Sequence, residues 1–225
     1  FEGRLLSLAP IAIIGIWSLR HNIKLHFNCS ALKTMLKFSY PFILTAASYP
    51  ILTYIDRWML SELAGSAKTG IYGISYRFGM VPGMLLVQPF LKAWRPFIYN
   101  YDDKETQEVA YKRILLYYTL IGGILWLGIS TFSEEIVRLI TAPSYYSGYV
   151  IIPYVASSQL FYGLGWIVIA GLAVKERTFF IGFFTMIAAL LNIGLNYIWI
   201  PEYGMLGAAY STLVAFFAIF LGYSV

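Results

Sequence analysis

The sequence predicts an all-α integral membrane protein, a polytopic helical bundle, and three observations support this fold class. Four apolar runs without a charged residue occur from position 114 onward, and they contain 19, 26, 23 and 23 residues. The chain is 59% hydrophobic and only 12% charged, whereas soluble proteins are about 25% charged. The runs are also continuous, unlike the alternating ten-residue strands of a membrane barrel. The four runs are Ile114–Phe132, Tyr149–Val174, Thr178–Ile200 and Tyr203–Val225.

Each run is long enough to cross a bilayer. A helix rises 1.5 Å per residue, so about 20 apolar residues span the roughly 30 Å hydrocarbon core. Two less regular spans precede them. Phe38–Leu60 contains two prolines and the pair Asp56-Arg57, and Ile71–Phe97 contains three prolines and several polar residues. The second of these is predicted to be the least regular helix, with a kink at Pro82.

The first part of the chain is predicted to be a separate region. Leu5–Leu19 is a short apolar run that we interpret as the end of a helix, and Arg20–Lys37 is a basic connector lying on the membrane surface. Residues 1–37 therefore form one region, and residues 38–225 form a six-helix lobe. Because the sequence starts without methionine and ends within apolar sequence, we expect it to belong to a longer protein.

The positive charges predict the orientation. Counting alternate loops, eleven Lys and Arg residues lie on the side of the basic connector and three on the other side, so the connector side is cytoplasmic. The loops Ser61–Gly70, Ser133–Gly148 and Pro201–Gly204 are predicted to face outward.

Composition excludes several classes of function. The net charge of +5 reflects this asymmetry and does not indicate a nucleic-acid partner. A single cysteine, Cys29, permits no intramolecular disulfide, and His21 and His26 are predicted to be solvated residues of the connector. No catalytic or phosphate-binding motif is present. We therefore expect no metal, no cofactor and no enzymatic activity.

The most informative charged residues are Asp56, Arg57 and Arg77, which lie within predicted spans. Charged side chains at such depth cost about 2.5 to 3.5 kcal/mol and usually face a bundle interior or a wet cavity. With the hairpin centred between Ser66 and Ala67, Asp56 and Arg77 should lie at similar depth, where they could pair. One surplus positive charge then remains to bind an anion such as phosphate.

Three alternatives remain open for this cluster. Both arginines could snorkel outward to lipid headgroups, or Asp56 could form a purely structural pair with an arginine. Asp56 could also exchange a proton or bind Na⁺ to couple transport to an ion gradient. The sequence alone does not decide among them.

Other polar residues receive weaker assignments. Lys92, Trp94 and Arg95 are predicted to anchor the cytoplasmic interface, and Gln88, one turn deeper, is a candidate for substrate binding. Asn192 and Asn196 share a helix face, where their amides are predicted to bond a neighbouring helix, with substrate contact as the alternative. The spacing of Gly79 and Gly83 favours close helix packing.

Several motifs together resemble the second half of bacterial polysaccharide or O-antigen flippases. The motifs are, in order, Lys37-Phe38-Ser39-Tyr40-Pro41, Asp56-Arg57-Trp58-Met59-Leu60, Gly70-Ile71-Tyr72, Ala93-Trp94-Arg95-Pro96-Phe97, Glu135–Ile140 with Pro143, Tyr145 and Tyr146, Leu191-Asn192, Leu195-Asn196, Pro201, Tyr203-Gly204 and Gly207-Ala208-Ala209. The resemblance covers essentially the whole chain. These flippases belong to the multidrug, oligosaccharidyl-lipid and polysaccharide exporter superfamily.

The resemblance implies a bacterial cytoplasmic-membrane transporter with two six-helix lobes around a central cavity. This chain would supply the second lobe and would need the missing N-terminal lobe as its partner. The implied activity is transfer of a polyprenyl-diphosphate-linked oligosaccharide from the inner to the outer leaflet for surface polysaccharide or lipopolysaccharide synthesis. Arg57 and Arg77 would line the cavity that receives the diphosphate.

Three other functions are compatible with the sequence. A cation-coupled drug or small-solute exporter of the same superfamily would use carboxylates facing the cavity. A membrane-bound glycan polymerase or ligase would need an outward catalytic loop, and Ser133–Gly148 offers only Glu134, Glu135 and Arg138. A structural partner subunit would have no cavity.

Overall fold

The computed structural model describes residues 28–98, 104–174 and 178–224, together with residues 10, 14, 17 and 18. The chain divides into two compact units, Phe1–Phe38 and Ser39–Val225. The predicted run Leu5–Leu19, the first part of the basic connector, and His21 and His26 lie largely outside the described residues. The described part is helical throughout and contains no β-strand, which confirms the all-α class.

The helix α1, Cys29–Ala64, begins earlier than the sequence predicted. The side-chain Oδ1 of Asn28 accepts hydrogen bonds from the backbone N–H groups of Ser30 and Ala31, at 3.0 and 3.2 Å, and so caps the first turn. Part of the predicted surface connector is therefore the first turns of this helix. The helix continues through Pro41 and Pro50 without interruption.

The sequence predicted a ten-residue loop, Ser61–Gly70, after this helix, and that prediction is wrong. The turn to the next helix consists of a single residue, Gly65. This residue has φ 92°, a conformation that glycine adopts without a steric penalty. The helix α2, Ser66–Gly79, starts immediately after it.

A break follows α2 at the predicted kink. A π-helical turn, Gly83–Val87, comes directly after Pro82, and α3, Gln88–Ile98, continues the segment. Proline has no N–H to donate, so the helical hydrogen bonding must be rearranged there. A Cβ added at Gly79 would lie 2.6 Å from the Val155 Cβ, and one at Gly83 would lie 2.6 Å from the Gln159 Oε1. The close packing predicted for these glycines is confirmed.

The second half of the lobe contains α4, Lys104–Thr131, α5, Ser133–Ile140, a 3₁₀ helix, Pro143–Ile151, and then α6, Ile152–Val174. The predicted loop Ser133–Gly148 is therefore largely helical. The α5 helix is strongly amphipathic, with Val137 buried and Leu139 exposed. Because its apolar residues alternate with charged ones, it contains no continuous apolar run that would predict it from the sequence.

The last two helices form a hairpin, α7, Thr178–Tyr203, and α8, Met205–Tyr223. The predicted Pro201–Gly204 turn is shorter than expected, since α7 continues through Pro201 and reverses at Gly204, which has φ 57°. Among the described residues, four helices are long and apolar enough to cross a membrane, and they correspond to the four predicted runs: Glu108–Thr131, Pro143–Ile169, Phe179–Tyr203 and Met205–Tyr223.

Buried side chains of α1, α7 and α8 form two of the apolar clusters. One cluster contains Leu52, Ala188 and Ala215, and the other contains Leu60, Ile200 and Ala208. The two clusters thus occupy different levels along the same three helices. The polar residues between these levels form the candidate site.

Candidate functional site

Asp56 lies in the interior of the lobe and is completely buried. The Tyr72 hydroxyl donates a hydrogen bond of 2.6 Å to its Oδ2, and the backbone N–H of Arg57 donates one of 2.7 Å to its Oδ1. A carboxylate offers about four lone-pair sites. The bonds from Tyr72 and Arg57 account for two of these sites, and they hold the carboxylate in a fixed orientation.

Arg57 is held at the edge of the core by its own helix and by aromatic rings. Its Nη1 donates a 2.7 Å hydrogen bond to the Thr53 carbonyl and lies 4.0 Å from the Asp56 Oδ1. The guanidinium carbon lies 4.3 Å from the centre of the Tyr76 ring and 5.6 Å from that of Tyr54. The side chain is 26% exposed, so one part of the cation packs on aromatic faces while another part reaches the surface.

Arg77 does not pair with Asp56, and this prediction is wrong. The turn at Gly65 places Asp56 nine residues before it and Arg77 twelve residues after it, a mismatch of about 4.5 Å along the helices. Tyr72 instead reaches Asp56. Arg77 is exposed, and no ion pair in the described part of the chain includes it.

The predicted cluster of Asp56, Arg57 and Arg77 therefore has two guanidinium groups and one carboxylate, which is already engaged by hydrogen bonds. Arg77 follows Tyr76 directly, and Tyr76 carries the ring beneath Arg57. The surplus positive charge predicted from the sequence is present, although it is distributed differently. Such a surface can attract an anion, because guanidinium groups bind phosphate oxygens through charge-assisted hydrogen bonds.

The residues predicted at the cytoplasmic interface differ in their exposure. Lys92 and Gln88 are exposed on α3. Trp94 is 3% exposed and packs against Phe90 and Tyr111, at ring-centre distances of 5.7 and 4.9 Å. Its prediction as a surface anchor is wrong, because the α3 face that carries it is covered by aromatic side chains. The Arg95 side chain lies outside the described residues.

Asn192 and Asn196 share one face of α7 and are both completely buried. The Asn196 Nδ2 donates a 3.1 Å hydrogen bond to the Asn192 Oδ1. The predicted amide bonds to a neighbouring helix are thus replaced, among the described residues, by a bond within α7. The Asn196 Oδ1 and the Asn192 Nδ2 are buried without a hydrogen-bond partner, which is unfavourable in a dry interior.

Asp56 and the two amides lie between the same two apolar clusters along their helices. On α1, Asp56 is four residues from Leu52 of one cluster and four from Leu60 of the other. On α7, Asn192 follows Ala188 by four residues and Asn196 precedes Ile200 by four.

The third helix contributes Thr212, four residues after Ala208 and three before Ala215. Thr212 is completely buried and its hydroxyl donates a 3.0 Å hydrogen bond to the Ala208 carbonyl. It also lies close enough to Asp56 to interact with its carboxylate. We call Asp56, Asn192, Asn196 and Thr212 the polar layer. Sequence reasoning missed Thr212 and Tyr72, because an isolated hydroxyl in an apolar run is usually structural.

Two clefts among the described residues lie away from this site. An apolar one of about 290 Å³ lies between α4 and α6, beside Gly122, Trp126 and Leu160. A second lies at the α7–α8 turn, beside Lys68 and Glu202. Neither Arg57 nor Arg77 lines either of these two clefts.

Comparison with known proteins assigns the family. The model of a family described as polysaccharide biosynthesis protein matches residues 2–148. The chain belongs to this family. The matched region contains the whole hairpin that carries Asp56, Arg57, Tyr72 and Arg77.

One similar protein from this comparison is the uncharacterized membrane protein MJ1375 of Methanocaldococcus jannaschii. It is 26% identical over 212 residues, which are 93% of this chain and 48% of that protein. The chain thus spans about half the length of this relative. No solved structure matches the chain. The family, the similar membrane protein and the four apolar helices among the described residues together indicate a multi-pass membrane protein of the polysaccharide biosynthesis family.

Proposed function

We propose that this chain is the C-terminal lobe of a flippase that moves a polyprenyl-diphosphate-linked oligosaccharide from the cytoplasmic to the outer leaflet of a bacterial cytoplasmic membrane. The observation that carries the proposal is that the first hairpin holds a half-buried Arg57 and an exposed Arg77, while the Asp56 carboxylate beside Arg57 is buried and already hydrogen-bonded. The polysaccharide biosynthesis family supports the class of cargo. The resemblance to O-antigen flippases supports the translocation step.

In this proposal the arginines bind the diphosphate, and the lobe contributes no covalent chemistry. Arg57 has hydrogen-bonding capacity left, because among the described residues only its Nη1 donates a side-chain bond. Stacking on Tyr76 fixes the plane of the guanidinium without consuming these donors. A planar, oriented fork is suited to phosphate oxygens. Gln88 is a further candidate for contact with the sugar headgroup, since it is exposed and uncharged.

The break between α2 and α3 supports a conformational cycle. Helical hydrogen bonding changes there from α to π and back within a few residues, and irregular helices in transporters provide sites of bending. The arginines lie on the α1–α2 side of this break. Movement of α3 relative to α2 would therefore alter access to the cationic surface.

The test is a leaflet assay with the complete protein in liposomes and a fluorescent polyprenyl-diphosphate oligosaccharide. We expect Arg77→Gln to slow translocation about tenfold or more, because a charge-assisted hydrogen bond contributes about 1.5 to 3 kcal/mol. Arg57→Gln should have a similar effect and Arg57→Lys a smaller one. The matched control is Arg138→Gln, which removes an exposed arginine on α5 and should leave the rate unchanged.

Wild-type rates in both Arg57→Gln and Arg77→Gln would refute the diphosphate-binding role. Transport of small cationic solutes by the wild type, without movement of the lipid-linked glycan, would favour the exporter of the same superfamily.

A further inference from the structure

We propose that the cleft between α4 and α6 holds one acyl chain of an anionic phospholipid, with the lipid headgroup beside Lys112. The inference does not rest on the flippase proposal. None of the described residues of the hairpin that carries Arg57 and Arg77 lines this cleft, so a cargo held by those arginines is not the source of the chain. The arguments come from the place of the cleft, the chemistry of its walls and the charge at one end.

The cleft lies on a helix that faces outward from the lobe at membrane depth. α4 is long and apolar enough to cross a membrane, and only 11% of the residues in its most apolar stretch are buried. Leu116, Leu120 and Ile124, on other faces of α4, are more than half exposed. The hydrocarbon core of a bilayer contains no water. A cleft of about 290 Å³ at this depth, close in size to a small-molecule pocket, is therefore open to lipid chains.

The walls of the cleft offer an occupant mainly hydrocarbon and aromatic surface. The Trp126 indole N–H and the Ser157 hydroxyl both donate to the Pro153 carbonyl, at 3.0 and 2.8 Å. The Thr119 hydroxyl donates to the Leu115 carbonyl at 2.7 Å. These polar groups of the lining are already bonded to the backbone. A polar ligand would gain little here, whereas each buried CH₂ group of an acyl chain gains about 0.8 kcal/mol.

Glycines determine where the cleft is open. The Tyr118 hydroxyl lies against Gly163, where an added Cβ would overlap it, so Tyr118 presents its ring and not its hydroxyl. Gly122 is closed, because its Cβ would lie 2.8 Å from the side chain of Leu160. Gly123 also lines the cleft, but a Cβ added there would have no atom within 4 Å. Gly123 therefore borders the empty part of the cleft.

The length of the cleft along α4 matches the depth of one leaflet. Lys112 precedes Tyr118 by six residues and Trp126 by 14, so the cleft runs from about 9 to about 21 Å from Lys112 along the helix axis. One leaflet, with its headgroups, is about 20 to 22 Å deep. A lipid whose headgroup lies at Lys112 would thus extend its chain into the cleft and reach Trp126 near the membrane centre.

Lys112 provides charge complementarity for the headgroup. It precedes Thr119 by seven residues and Gly123 by 11, so it lies on the helix face that lines the cleft. Its ammonium is 2.8 Å from Glu108 in an ion pair whose lysine is 73% exposed. Such an exposed pair is weak, and an ammonium has three donors. Lys112 therefore retains the capacity to bind a lipid phosphate.

The cleft also adjoins the break between α2 and α3. A Cβ added at Gly122 would lie 3.3 Å from Leu86, which belongs to the π-helical turn. Leu86 and Leu160 thus meet at the same glycine, and Leu160 lines the cleft. A bound acyl chain would add apolar contacts beside this turn and support its packing against α4.

The experiment is photolabelling of the complete protein in phosphatidylcholine liposomes. The probe is phosphatidylglycerol that carries a diazirine in the middle of one acyl chain. We expect saturable labelling that mass spectrometry maps to residues 118–126 and 157–164. Unlabelled phosphatidylglycerol should displace the probe, whereas the surrounding phosphatidylcholine should not.

Gly123→Leu tests the place of the chain. The new side chain enters the open part of the cleft, so we expect labelling to fall about tenfold or more. The matched control is Gly128→Leu on the same helix. Gly128 does not line the cleft, and a Cβ added there also has no atom within 4 Å, so labelling should be unchanged. Size-exclusion profiles verify that both variants remain folded. Equal losses in the two variants would overturn the assignment of the site.

Lys112→Gln tests the headgroup. We expect the affinity for phosphatidylglycerol to fall about fivefold, as for the loss of one lysine near an anionic lipid. The matched control is Lys92→Gln, which removes an exposed lysine of α3 and should leave the affinity unchanged. Equal losses in both variants would show general surface attraction and would overturn the role of Lys112.

Three results would overturn the proposal as a whole. Uniform labelling of the exposed faces of α4 that survives Gly123→Leu would show ordinary boundary lipid only. Displacement of the probe by a polyprenyl-diphosphate oligosaccharide would assign the cleft to the chain of the cargo. Absence of labelling would show that another part of the complete protein covers the cleft. Labelling requires no leaflet transfer, so Arg77→Gln should be labelled normally even where translocation is lost.

Discussion

Replacing Tyr72 by phenylalanine tests the structural basis of the site most directly. The substitution removes one hydroxyl, which donates the 2.6 Å hydrogen bond to the buried Asp56. The ring and its packing against Tyr76, at 5.5 Å between ring centres, are retained. The change therefore isolates a single hydrogen bond.

The expected cost depends on the charge of Asp56. A hydrogen bond to a charged group contributes about 1.5 to 3 kcal/mol, whereas hydrogen bonds between membrane helices average about 0.6 kcal/mol. Because this bond is completely buried and the Arg57 N–H donates to the same carboxyl group, we expect a loss of about 1 to 2 kcal/mol, between these two values. The assay is reversible unfolding of the complete protein by SDS in mixed micelles.

Tyr76→Phe is the matched control. Tyr76 lies one turn along the same helix and is 1% exposed. Its ring supports Arg57 at 4.3 Å and would be unchanged in phenylalanine, so we expect a loss below about 0.5 kcal/mol. Equal losses in the two variants, or no loss in Tyr72→Phe, would refute the argument that this hydroxyl stabilises a buried carboxylate.

Three further predictions concern the lobe as a whole. Gly207→Ala should destabilise the protein by about 1 to 3 kcal/mol in the same unfolding assay, because the added Cβ would overlap the backbone of α7. The control is Gly194→Ala, whose added Cβ would have no atom within 4 Å, and it should be neutral or slightly stabilising. Arg138→Gln should change stability by less than about 1 kcal/mol, because it breaks an exposed ion pair with 56% of the arginine side chain accessible; a larger loss would contradict that estimate. Two cysteine variants, made in a background without Cys29, test the predicted orientation. Arg138→Cys should react with an impermeant maleimide on intact cells, and Lys112→Cys should react only after permeabilisation. The reverse labelling pattern would show that the predicted orientation is inverted.

Much of the fold follows from composition and periodicity. Charge-free runs of membrane length cannot be accommodated as soluble surface, and each of the four predicted runs forms a helix that is long and apolar enough to span a membrane. The break after Pro82 was predictable because proline cannot donate a hydrogen bond. The contacts of Gly79 and Gly83 were predictable because small residues permit close approach of helices.

The errors have physical causes that a sequence does not display. The predicted midpoint of the first hairpin was wrong, because the turn is a single glycine with positive φ and not a ten-residue loop. With the turn at Gly65, the residue of α2 that reaches Asp56 is Tyr72 and not Arg77. Trp94 resembled an interfacial anchor, yet neighbouring aromatic rings bury it. The short helix α5 was not detected because its apolar face is narrow.

The sequence by itself determined that this is a helical membrane protein and that positive charge exceeds negative charge within the first hairpin, since both depend on residue types along one chain. The tertiary structure decided which groups meet. It set Asp56 against Tyr72 and close to Thr212, and it buried the asparagines of α7 between the same two apolar clusters. Asp56 and Thr212 are 156 positions apart, and their proximity depends on how the helices pack, which local sequence patterns do not encode.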